Sequence, residues 1–336
     1  MLKVVAAQFI VWHHFSAYGP MAETMTSLWP HVMEWFYRYA RLAVQVFLVV
    51  GGYLAAQSVM KKNITHPIAH IAKRYVRLVP FYVLALALIS LTVAVSRHTI
   101  DASWLPGEPT VWQFVAHGLL LHDLLGFEAL SSGAWYVAVD FQLYAVLMVL
   151  CHAMHSDTHR RLSVAVALLC TASMWLFNRV DELDMWAIYF FGAYGLGLLA
   201  AWSKRSEFEA RVFWVTVLLA VGALWFEYRT RLSLALLTAV WLAIKPKGMV
   251  HWTPVKRAVH RLSNSSYAQF MTHFGVIVFF SAAWHWSALS TPTEALAVVC
   301  TGWLASLWLG VVLHEKVEQP LHHRLARQTQ ATLFNG

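Results

Sequence analysis

Apolar side chains in this chain do not alternate with polar ones. They run in long blocks parted by short clusters of Lys, Arg, His, Pro and Gly. A strand pattern is excluded by that texture, and a helix crossing a bilayer needs about 20 such residues, with a range of roughly 17–25. Eleven blocks qualify: 1–18, 42–60, 78–96, 111–126, 135–153, 161–178, 185–202, 211–227, 231–245, 266–285 and 293–313. No internal repeat, low-complexity tract or long linker separates them. The pattern predicts an all-α, polytopic transmembrane bundle forming a single domain over residues 1–336.

Positive charge decides how many blocks cross. If 111–126 does not cross, one set of loops collects nineteen of the 25 Lys and Arg residues, and the other keeps Arg38, Arg41, Arg97, Arg179, Arg229 and Arg231. The basic loops are centred on Lys3; Lys61, Lys62, Lys73, Arg74 and Arg77; Arg160 and Arg161; Lys204, Arg205 and Arg211; Lys245, Lys247, Lys256, Arg257 and Arg261; and Lys316, Arg324 and Arg327. Such asymmetry marks the cytoplasmic side. It predicts ten spans with both termini cytoplasmic. Most isolated acids, including Asp101, Glu108, Asp123, Glu128, Asp181, Glu182 and Asp184, then lie outside. Segment 111–126 is expected to be re-entrant or interfacial, since His117, His122 and Asp123 suit water or a protein-lined cavity better than lipid.

Composition agrees. Hydrophobic residues make up 59% of the 336 and charged ones 12%, against about 25% charged in soluble domains. The 17 Trp residues suit headgroup level. A net charge of +8 would suggest nucleic acid in a soluble protein, but here topology accounts for the cations. Cys151, Cys170 and Cys300 all fall within apolar blocks, without metal spacing or a disulfide framework. Val4–Trp12 could pass for a signal peptide core, but it runs into His13-His14 without a convincing cleavage site.

Ionisable residues at membrane depth cost about 2.5–3.5 kcal/mol each and are functional candidates. Lys3 and His14 are eleven residues apart, three turns on one face, with His14 ~16 Å beyond Lys3. A neutral imidazole there is a candidate general base. Asp140, five residues into its block, is expected roughly 8 Å deep from the outer side. It could hold the His14 imidazole, or pair with Arg41 or another helix. Arg77, after Lys73 and Arg74, heads into a Pro-containing span and is a candidate phosphate holder. His273, taken alone, reads as a packed polar residue. Gly51-Gly52 suggests close helix packing, and His322-His323 a solvated tail. No HExxH, clustered Cys or paired carboxylates suggest a metal, and no phosphate-cradling glycine loop occurs.

Six segments, in order, resemble the membrane-bound acyltransferase 3 family: Lys3 with His14 after ten intervening residues, Phe47–Tyr53, Arg77–Tyr82, Trp135–Tyr144, Ser266–His273 and Glu318-Gln319-Pro320. The chain departs from the family pattern at Lys3 (Arg), Gln45 (Asp), Gly51 (Ser), Tyr136 (Ser) and Asp140 (Glu). The resemblance implies a ten-span core, in a bacterial inner membrane, that takes an acyl group, often acetyl, from cytoplasmic acyl-coenzyme A. The acceptor implied is a hydroxyl of a glycan or small molecule. Some relatives carry an extracytoplasmic esterase-like domain, which is not expected here. His14 is the expected base, supported by Asp140. Arg77, Lys3, Arg74 and Lys73 are the expected acyl-coenzyme A contacts. His13, Tyr82, Trp135, Tyr144, His273 and Glu318 are candidate substrate contacts, with membrane lipids as surroundings. Two other readings stay open: a transporter or flippase of a lipid-linked glycan, and a catalytically silent membrane scaffold.

Overall fold

The computed structural model describes residues 1–59, 64, 66–100, 103–154, 159–244 and 253–325. Lys61, Lys62, Asp101, Lys245, Lys247 and Arg327 lie outside the described residues. No strand occurs among those described. Ten apolar helices follow the predicted blocks: α1 (Leu2–Ala17), α4 (Ala43–Val59), α5 (Pro67–Ser96), α7 (Ala134–Ala153), α8 (His159–Trp175), α9 (Ala187–Trp202), α10 (Glu207–Phe226), α11 (Thr230–Ile244), α12 (Thr253–Trp286) and α13 (Pro292–Leu313). Among the described residues, six helical stretches are long and apolar enough to cross a bilayer, and α9 and α11 are shorter apolar helices.

Between α1 and α4, outside the predicted apolar blocks, the chain forms two short helices, α2 (Pro20–Leu28) and α3 (Pro30–Tyr39). Each begins with proline at its first turn, where the missing N–H costs nothing and the fixed φ favours the helix. Gly19 makes the corner at φ +90, and a Cβ there would strike Ser281. Segment 111–126 contains only α6 (Val111–Gly118), about 12 Å long. Its start is fixed by a Thr110–Gln113 capping box. The chain then turns through Leu120, at φ 60, and passes the buried Leu130 on its way to α7.

Two helices organise the packing. All of α9 except Ile188 is buried, as expected of a helix that is apolar all round. It packs among α4, α7, α8, α10 and α11. The α4–α9 crossing is close because Gly52 and Gly197 lack side chains: a Cβ on either would meet the other helix's backbone. Gly52 thus takes the close-packing role expected from sequence, while Gly51 faces Asp140 and Tyr194. The second organiser is α12, packed by α1, α5 and α13. Gly310 lets α13 approach the Gln269 backbone.

Candidate active site

His14 lies on the buried stripe of α1, near its C-terminal end, and His273 sits on α12; both are buried. Their rings lie nearly parallel, with His14 Nδ1 2.6 Å from His273 Nε2. His273 Nδ1 is 2.7 Å from the carbonyl of Phe270. A carbonyl only accepts, so in the neutral pair His273 Nδ1–H donates to Phe270 and its Nε2 carries the lone pair. His14 Nδ1–H donates to that nitrogen, which leaves His14 Nε2 as the basic atom. The Tyr18 ring lies tilted 5.7 Å from the His14 ring, and Trp104 and Phe274 pack on Tyr18 and on each other.

Beneath the pair, α1, α12 and α13 are joined by a polar clamp. The Gln8 and Gln269 amides bond reciprocally at 3.1 Å. Trp303 Nε1–H donates to Gln8, and Gln269 donates to Ser306. Neither glutamine was singled out from sequence. The available signal was an amide inside an apolar block, and Gln269 lies one turn before His273.

Asp140 is not the partner of His14. Its carboxylate accepts from Arg74 Nη2 at 2.5 Å and stands within electrostatic reach of Lys3. Asp140 therefore belongs at the Lys3 end of α1, three turns or ~16 Å from His14. The expected meeting with His14 failed because α7 does not start at the edge of the bundle. Its first residue, Ala134, is fully buried, and Gly133 packs on Phe270. The alternative, pairing with another helix, holds, with Arg74 rather than Arg41 as partner.

Around this pair lies a second polar cluster. The Arg74 guanidinium sits 5.3 Å over the Tyr144 ring, and its Nε–H is buried without a partner. Lys3 senses Asp140, Glu318, Arg74 and Arg77. Three cations against two anions leave positive charge in excess. Glu318 is buried and accepts from His314 at 2.7 Å. His322, expected in a solvated tail, bonds the Arg77 carbonyl instead. Arg77 and Lys73 are exposed.

The remaining candidates scatter. Trp135 packs on Phe190. His13 lies 5.0 Å from the His14 ring, with a buried, unpartnered Nδ1. The Tyr82 hydroxyl is buried without a partner near His117. His117 itself is satisfied, donating from Nδ1 to Gln113 and accepting from the Leu130 N–H. His122 stacks on it at 4.0 Å.

Buried imidazoles in contact, joined by one helix to a cationic cluster within a bundle of apolar helices, define an integral membrane protein built around a polar interior. Residues 1–314 match the family model described as an acyltransferase domain. The chain belongs to the acyltransferase 3 family and is a membrane acyltransferase. No curated protein and no solved structure matched the chain.

Proposed function

We propose that this protein transfers an acyl group, acetyl in the simplest case, from cytoplasmic acyl-coenzyme A to a hydroxyl acceptor at the inner membrane of a bacterial cell. The bundle crosses ten times as one membrane domain, with both termini cytoplasmic. The observation carrying this reading is the continuity of α1: Lys3 stands in the cationic cluster and His14 carries the free imidazole nitrogen ~16 Å away. The phosphates of coenzyme A dock on Arg77, Lys73, Lys3 and Arg74. The pantetheine arm spans the interval to His14. Asp140 acts by fixing Arg74.

His14 Nε2 takes the acceptor's hydroxyl proton as the oxygen attacks the thioester carbonyl. The C–O ester bond forms, the C–S bond breaks, and the proton passes to the departing thiolate. His273, anchored by Phe270, holds His14 in the productive tautomer and accepts part of the imidazolium charge. The test is acetyl-coenzyme A turnover in proteoliposomes, titrating free thiol and measuring acylated acceptor by mass spectrometry. Thiol released in step with product supports the proposal. Movement of a lipid-linked glycan across the bilayer without thiol release refutes it in favour of transport.

A further inference from the structure

A cavity of about 410 Å³ lies between α1, the α3–α4 corner and α11. Its volume falls in the range of roughly 300–1,000 Å³ usual for ligand sites. On α1 it is lined by Leu2, Val5, Ala6 and Phe9. That is a helical stripe, and its next member is His13. Tyr37 of α3 contacts His13, as Trp35 contacts Phe9. The stripe thus leads to a histidine whose ring touches His14. The opposite wall, Leu234 and Leu237 on α11, is apolar, with Leu237 67% exposed on the flank of the bundle.

The groove is polarised along its length. Hydrocarbon lines most of it, while Tyr39, Tyr228 and Thr230 gather where α4 and α11 begin. Arg41, between lining residues Ala40 and Leu42, is exposed, has no ion-pair partner among the described residues, and acts electrostatically on His13. Apolar walls with a cation at one end match an anionic amphiphile. We propose that this groove binds a hydrocarbon chain of an anionic, hydroxyl-bearing lipid, with its phosphate at Arg41. The headgroup is thereby presented past His13 to His14, so the acceptor is itself a lipid. The acceptor role rests on the function proposed above; the binding site does not.

The test uses the full-length protein in phosphatidylcholine vesicles containing a minor share of phosphatidylglycerol with a diazirine near one chain end. Matched vesicles carry the diazirine on phosphatidylcholine. Cross-links mapped by mass spectrometry should concentrate on Val5, Phe9, Leu234 and Leu237, several-fold above the exposed Leu168 and Leu218 on α8 and α10. Labelling should be stronger for the anionic lipid. Arg41→Gln should remove that preference, and Ser233→Trp, which fills the groove from α11, should remove the labelling. A second filler, Val46→Trp on α4, guards against misfolding of either variant. Labelling no denser in the groove than at Leu168 and Leu218 would overturn the site. Groove labelling while thiol release and acylation run only on a lipid-free alcohol overturns the acceptor role alone. Groove labelling with no thiol release under any condition supports the site and counts against the proposed transfer instead.

Discussion

Replacing His273 with alanine isolates what the histidine pair contributes. The bond lost joins two buried rings at 2.6 Å, and the His14 Nδ1–H is left without its acceptor. Leaving a buried donor unsatisfied costs about 1–3 kcal/mol. If that cost falls on the transition state, where His14 carries a proton, kcat drops by ~5- to 150-fold, at about 1.4 kcal/mol per decade. His273→Gln offers an amide oxygen to the same N–H and should recover part of the loss. Because the two rings act as a unit, His14→Ala with His273→Ala should cost little more than His14→Ala alone. The assay is thiol release from acetyl-coenzyme A in proteoliposomes, with thermal unfolding as the control for folding. An H273A protein that unfolds like the wild type and turns over at the same rate would refute the relay.

Asp140→Asn leaves Arg74 without its counter-charge. Stability should fall by up to about 3 kcal/mol, discounted because the Arg74 side chain keeps 29% exposure. Arg74→Met in the D140N background should restore part of the melting temperature but not coenzyme A binding. Gly52→Ala forces apart α4 and α9 and should destabilise by about 1–3 kcal/mol, read as a lower melting temperature in detergent. Burial pushes His117 and His122 down to about 4, so both are neutral in the fold. The unfolded chain binds protons there first, so their contribution is full above pH 6.5 and is lost as pH falls toward 4. Hydrogen exchange of residues 113–130 should accelerate over that window, and unchanged protection would count against it.

The hydrophobic blocks foretold the helices because a bilayer demands long apolar segments and forces each to close its own backbone bonds. They did not foretell where helices extend beyond the apolar stretch. α5 begins at Pro67 and α12 at Thr253, so Lys73, Arg74 and Arg77 stand on a helix rather than in a loop. Nor did the blocks foretell α2 and α3, which Pro20 and Pro30 open in a stretch outside every apolar block. Lys3 and His14 were legible because helix geometry fixes their spacing whatever surrounds them. The partner of His14 was not, because it depends on which helices touch and at what height. Counting inward from Trp135 assumed that α7 starts at the surface. Segment 119–133 defeats that assumption by delivering the chain to a buried start at Ala134. His273 carried its signal only in combination with His14 across 259 residues, and one-dimensional spacing does not report such contacts.

The central claim is that the His14 imidazole performs the proton transfer. Purified His14→Ala protein in proteoliposomes, given acetyl-coenzyme A and an accepted alcohol, measures it most directly. The account predicts that thiol release falls to background while coenzyme A still binds and the melting temperature stays near that of the wild type. Wild-type turnover by a folded H14A protein would contradict it.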